Sequence, residues 1–290
     1  MSLKNRLNII AQYTENYTGN DLLNQKLAIT SVFVLLVIVF ASVFSNVLTH
    51  FSPLEQGNLI TSRYLEPSFN HPFGTDKFGR DVFSRVLHGG KISLSIASIV
   101  VLLSVVIGVL YGAISGYAGG FIDNIMMRIL DFLLAFPLIF LLIAVVAIFS
   151  PGTWFLVPLL GLTGWMDTAR LVRAEVLSIK ERDYILAVKG FGLSNIYILI
   201  NHVIPNSITP VFVSIPLKIG EVILLESALS FLGIGVQPPT PSWGNIISDG
   251  QDVLFQAWWV SFFPGLLIVI TVMCFNFISE GLRISYSPKK

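Results

Sequence analysis

The chain has 290 residues, of which 54% are hydrophobic and only 12% charged, with a mean hydropathy of +0.77 and a formal net charge of +1. Soluble domains carry roughly 25% charged residues, so this composition excludes an ordinary soluble domain and indicates a polytopic membrane protein. The near-neutral charge gives no reason to expect a nucleic-acid partner, and the lone Cys274 excludes an internal disulfide and reads as a small buried hydrophobe.

Residues 1–26 are mostly polar, and an uncharged run follows from Leu27 to Thr49. A secretory signal places a core of about 7–15 apolar residues soon after its basic start. Leu27–Leu48 therefore reads as an uncleaved transmembrane helix, long enough for the roughly 30 Å hydrocarbon core. Five more spans are expected: Ile92–Ile114, Phe132–Phe149, Trp154–Leu171, Ser207–Leu232 and Ala257–Ile278. Ser150–Thr153 is a Pro-Gly turn between the third and fourth. The glycine-rich stretch Tyr111–Asp123 is expected to make a tight cytoplasmic turn. His50–Lys91 is a long outer connection, and Val236–Trp243 is stiffened by its prolines. Trp243, Trp258 and Trp259 suit anchors at the membrane–water interface.

Basic residues orient the chain. With the N-terminus inside, the cytoplasmic pieces hold Lys4, Arg6, Lys26, Arg128, Arg170, Arg173, Lys180, Arg182, Lys189, Arg283, Lys289 and Lys290. Arg63, Lys77, Arg80, Arg85 and Lys91 share one outer loop, where Asp76 and Asp81 can pair with them. The expected fold is all-α with six spans and both termini cytoplasmic. It divides into 1–91 (N-terminal segment, first helix and outer loop) and 92–290 (a five-helix core with a cytoplasmic loop at about 172–205).

No motif for metal or nucleotide is expected. The four histidines lack ligand spacing, although His71 and His88 share a loop. Gly74–Gly79 has phosphate-loop glycine spacing, but Arg80 and Asp81 replace the required Lys and Ser/Thr. Energy for uphill transport would come from a partner or an ion gradient. Lys218 and Glu221, three apart in the fifth span, can pair on one helix face or line a translocation path, because ionisable groups inside a membrane face a partner or a wet cavity. Glu226 lies on a different face of that helix and admits a structural role or a substrate one.

Asp183–Gly192 has helical spacing, with Ile185 and Val188 on one side and Asp183 at the favourable end of the helix dipole. Gly190 and Gly192 end it or permit close backbone approach, and Pro205 starts the next span. Read from spacing alone, the segment is either a docking element or a partnerless interfacial loop.

This segment resembles the signature loop of ABC-importer permeases. Aligned on Gly192, Leu186-Ala187-Val188 stands where that family has Glu-Ala-Ala. His202-Val203-Ile204-Pro205 stands at the far end, with the Gly-to-Pro distance kept. His71–Asp81, Leu225–Gly235 and Pro238–Gly244 resemble the peptide and nickel branch of that family, and the chain is similar to its "C" permeases over nearly its whole length. The resemblance implies a type I permease fold, in the bacterial cytoplasmic membrane. It implies a coupling helix at Lys180–Asn195, with Asp183, Ala187, Val188, Gly190, Gly192 and Pro205 serving contact with an ATPase. Implied partners are a second homologous permease, two ATPase subunits carrying ATP and magnesium, an extracellular substrate-binding (lipo)protein and the lipid bilayer. This chain would bind no cofactor and catalyse no reaction. Phe73, Gly74, Asp76, Gly79, Arg80 and Asp81 are candidate outer-loop contacts. Di- or oligopeptides are the expected cargo, with nickel or a metal chelate as the alternative. A secondary transporter coupled to ions through Lys218 and Glu221 is the competing class.

Overall fold

The computed structural model describes residues 25–58, 60–149 and 155–286. The expected turn at 150–153, Trp154, and the basic residues Lys4, Arg6, Lys289 and Lys290 lie outside the described residues. Helices in order are α1 (Gln25–Val43), α2 (Ser45–Leu48), α3 (Val82–Ala118), α4 (Gly120–Leu134), α5 (Leu138–Phe149) and α6 (Leu156–Ile179). There follow α7 (Asp183–Gly190), α8 (Asn195–Ile198), a π-helical turn at Leu199–Val203, α9 (Ile204–Ser207), α10 (Thr209–Phe231), α11 (Trp243–Gly250) and α12 (Trp259–Tyr286).

Three helices, α1, α3 and α12, are each long and apolar enough to cross a membrane, and a fourth crossing arises if the pair Asn195–Ser207 and Thr209–Phe231, bent by 53°, counts as one. The other two expected spans depart from simple apolar helices for physical reasons. Pro137 disfavours helix at the residue before it, which splits the third span into α4 and the 12-residue α5. The fourth, α6, carries Asp167, Arg170, Arg173 and Glu175. The fifth span begins at Thr209, with Pro210 in its first turn, rather than at Pro205. Pro205 instead opens the short α9, and the expected loop before it is helical.

Helix α3 has 37 residues, so at 1.5 Å per residue it is about 55 Å long, well over the roughly 30 Å of the hydrocarbon core. Asp81 starts it by accepting the Ser84 N–H at 2.7 Å, which satisfies a donor left free by the first turn. Gly119, at φ +66°, ends it. The expected glycine-rich turn at Tyr111–Asp123 is therefore confined to Gly119 and Gly120. The preceding glycines have a different use. Gly108, Gly112 and Gly116 form a stripe against α6, which runs parallel to α3. A Cβ on Gly108 would sit 2.5 Å from Thr168 Cβ, one on Gly112 would strike the Ala169 carbonyl, and one on Gly116 would lie 3.0 Å from the Arg173 carbonyl. Small residues four apart let helix backbones approach closely in lipid, where packing replaces the hydrophobic effect as the driving force.

The apolar interior has three main centres. One gathers Val86, Ile223, Trp243, Ile246 and Trp259 around α11. A second joins Ile96, Val100, Leu156, Leu160 and Leu229 in mid-span. A third, toward Ile179 and Ile185, packs the α7–α9 segment against α3 and α6. Of the three tryptophans expected at the interface, only Trp258 is exposed. Trp243 and Trp259 are core residues, because their indole N–H groups find the Val86 and Thr75 carbonyls at 3.0 and 3.2 Å. Glu226, also fully buried, accepts hydrogen bonds from Ser93 at 2.9 Å and Ser230 at 2.7 Å. It thus ties α10 to α3.

Candidate functional site

The segment from α7 to α9 is two-faced. Ile185, Ile198 and Val203 are completely buried against Val109, Val172, Val176 and Ile179. On the other side Tyr184, Leu186, Phe191, Leu193, Ile196 and Ile200 are exposed, Phe191 at 86%. Exposed apolar groups gathered on one element mark an interaction surface rather than a finished one. The expected helix is present as α7, with Asp183 in its first turn and Lys189 in its last, both suited to the helix dipole. Asp183, Ala187 and Pro205 are exposed and Val188 is half-buried. A Cβ on Gly190 or Gly192 meets nothing within 4 Å, and only Gly192 has positive φ, at +77°. The chain's own backbone thus accounts for glycine at 192, where an L side chain costs about 1–2 kcal/mol. Nothing within the chain accounts for it at 190.

The segment is fastened to the bundle by Tyr117 at the end of α3. Its hydroxyl donates to Asn195 Oδ1 at 3.2 Å, and Lys189 Nζ lies 5.4 Å from its ring centre. Behind it, Arg173 of α6 holds Asp123 of α4 through two hydrogen bonds of 2.6 Å, and Ser115 of α3 donates to the same carboxylate. A two-pronged guanidinium–carboxylate pair fixes direction as well as distance. α7 and α8 thus rest on α3 and α6, which are tied to α4 through Asp123.

At the other end of the bundle, the loop between α2 and α3 is braced from within. Asp76 accepts from Arg80 Nε at 2.7 Å, from Arg85 at 2.5 Å, and from the backbone N–H groups of Phe78 and Arg80 at 2.8 and 3.0 Å. Asp249 of α11 receives Arg80, Arg85 and Lys77 at 3.2, 2.9 and 2.9 Å. The expected local pairing exists for Asp76, with Asp249 as the member sequence spacing could not supply, whereas Asp81 pairs with His71 instead. Burial pushes the Asp249 carboxyl up, but Arg85 and Lys77 outweigh it and hold it below the usual range. Gly74, Asp76, Gly79, Arg80 and Asp81 are buried, and half-buried Phe73 stacks on Phe263 at 3.9 Å. These side chains are turned inward, so the loop's free surface belongs to other residues. His71 bonds Asp81 at 2.9 Å and His88 bonds Asn46 at 2.8 Å, so the two histidines have separate partners.

Between these ends, α3, the α4–α5 break, α6 and α10 line an open-sided cavity of about 370 Å³, at which Asp167 and Glu221 are exposed. Its walls are largely apolar, including Val101, Leu141 and Leu160, and Lys218, Glu221 and Asp167 line it. The expected Lys218–Glu221 pair is not formed. Among the described residues neither has an ion-pair partner within 4.0 Å, because both border the cavity. No group of three His, Cys, Asp or Glu among the described residues is placed to hold a metal ion.

Residues 104–289 match the family described as binding-protein-dependent transport system inner membrane component. The chain is 39% identical over 278 residues to the dipeptide transport system permease protein DppC of Bacillus subtilis, covering 96% of this chain and 86% of that one. It is 38% identical over 267 residues to the oligopeptide transport system permease protein OppC of Escherichia coli, covering 92% and 88%. Inward-facing structures of the MetNI methionine ABC transporter share its fold, with a TM-score of 0.56 and 19% identity over 71% of this chain and 96% of that chain.

Proposed function

This chain belongs to the binding-protein-dependent transport system inner membrane components, and we propose that it is one translocation subunit of an ATP-driven importer of di- or oligopeptides. The observation that carries the cargo class is identity of 38–39% with peptide permeases over more than nine-tenths of the chain. As a permease it is a non-catalytic part of its transporter. Six crossings with both termini in the cytoplasm agree with the distribution of basic residues.

In this reading a homologous permease completes the pathway and two ATPase subunits drive it. The exposed face of Tyr184–Ile200 seats in an ATPase groove. Asp183, Ala187, Val188, Gly190 and Gly192 lie at or beside that contact, and Pro205 sets the turn behind it. ATP-driven closure pushes α7 and α8, and the Tyr117 and Asp123–Arg173 contacts pass the push to α3, α4 and α6. The cavity beside Lys218 and Glu221 is this chain's share of the pathway. The outer loop, stiffened by Asp76, Asp249, Arg80 and Arg85, presents its surface to an extracellular substrate-binding protein.

The test is uptake by the assembled importer in proteoliposomes. Labelled dipeptide should accumulate only with its binding protein and ATP supplied. Accumulation of a nickel chelate but no peptide would replace the cargo, and transport by this chain alone along an ion gradient would replace the class.

A further inference from the structure

The three ionisable groups around the cavity form an arrangement that neither coupling nor folding uses. Asp167 stands 11 residues into the 24-residue α6, and Lys218 and Glu221 stand 9 and 12 residues into the 23-residue α10. At 1.5 Å per residue, Lys218 and Glu221 lie about 14–18 Å from a helix end, near mid-depth of a roughly 30 Å hydrocarbon layer, and Asp167 lies closer to the Arg170 and Arg173 end of α6. Charged side chains at mid-depth are costly and face a wet cavity or a partner of opposite charge. Glu226, further along α10, is by contrast satisfied internally by Ser93 and Ser230. Asp167, Lys218 and Glu221 have no hydrogen bond or ion pair among the described residues, and all three line one cavity.

We infer that Lys218 receives the C-terminal carboxylate of a free peptide in transit, while Glu221 and Asp167 receive its N-terminal ammonium. This rests on the peptide reading above and adds the chemical feature that is read. Both signs of charge are present in one cavity, which matches a zwitterion and not a simple anion or an apolar solute. The scale also matches. Side chains three apart on a helix stand about 5–6 Å apart at Cβ, and two extended residues span at most about 7 Å. The cavity volume falls in the range of small-molecule sites. Its remaining walls are mostly aliphatic and carry few directional groups, so they accept varied side chains, while the charges read the two ends common to every free peptide. Contacts to both ends offset the desolvation of a zwitterion crossing this layer.

The experiment uses the complete importer in proteoliposomes, with wild type, Lys218→Met, and the double variant Glu221→Gln with Asp167→Asn. Each takes up one dipeptide in three forms: free, C-terminally amidated and N-acetylated. Dividing the variant rate by the wild-type rate for each form cancels any preference of the binding protein. A charge-assisted bond of about 1.5–3 kcal/mol corresponds to a factor of about ten or more. Lys218→Met should therefore slow the free peptide about tenfold and the amide less than twofold. The double variant should slow the free peptide about tenfold and spare the acetylated form. Equal ratios for all three forms would overturn the inference and leave the peptide reading intact. Failure of both variants to assemble would assign these residues to a subunit interface and also overturn it. A wild-type complex that imports no peptide would overturn the parent reading, and this one with it.

Discussion

Replacing Asp76 by alanine should destabilise the outer end of the bundle more than any other single carboxylate change. Its side chain is 1% exposed and receives two guanidinium groups and two backbone N–H groups. Removal leaves Arg80 and Arg85, whose side chains are 8% and 4% exposed, sharing only Asp249. Breaking a buried ion pair from one side costs about 3–5 kcal/mol, because the remaining charge stays buried without compensation. At about 2–4 °C per kcal/mol for a chain of this size, melting should fall by roughly 6–20 °C. The control is Lys77→Met. Lys77 contacts Asp249 from a side chain 38% exposed, and a pair so open to solvent contributes about 1 kcal/mol or less. The assay follows from the single buried cysteine. Cys274 is 7% exposed, so a thiol-reactive fluorophore in detergent reports the opening of α12 with no background from other thiols. Equal melting of Asp76→Ala and wild type, or equal damage from Asp76→Ala and Lys77→Met, would refute the assignment of the brace to buried charge.

Gly112→Val should cost about 1–3 kcal/mol by overpacking, since its Cβ would strike the Ala169 carbonyl and stand 3.0 Å from Val172 Cβ. The same melting assay should show Gly190→Ala within about 1 °C of wild type, because nothing surrounds that position and surface changes of this kind are small. The Asp249 carboxyl is held below its unfolded value, so its contribution is present above the ordinary carboxylate range and is lost as pH falls through the depressed folded value. Wild-type melting should therefore drop on acidification below about pH 4, and Asp249→Asn should start lower and show a smaller drop.

Local patterns were legible in the sequence where one element carries its own signal. The α7 helix, the buried character of Cys274, and the pairing of Asp76 with nearby arginines all follow from spacing within a few residues. The glycine stripe at 108, 112 and 116 was equally local, but Gly112 and Gly116 fell in the stretch expected to turn, because glycine serves both turns and close helix packing. Two features escaped for a different reason. Asp249 joins Arg80 and Arg85 across more than 160 positions of chain, and Asp167 shares a cavity with Lys218 and Glu221 only because α6 and α10 both line it. Trp243 was misassigned because an indole suits both an interface and a core that offers its N–H a carbonyl. The fate of Lys218 and Glu221 turned on side-chain direction, which three-residue spacing permits and does not dictate.

The central claim is that the exposed face of Tyr184–Ile200 seats an ATPase, and Gly190 offers the cleanest probe of it. A Cβ there meets nothing within 4 Å in this chain, so at unchanged melting temperature an effect of Gly190→Glu reports on contact with another molecule. The measurement is recovery of partner subunits when the tagged full-length chain is purified from membranes in mild detergent. The account predicts that wild type retains both a second permease and an ATPase, and that Gly190→Glu retains the permease at unchanged melting temperature while losing the ATPase. Equal ATPase recovery by the variant, or a wild-type chain that purifies alone and stable, would contradict it.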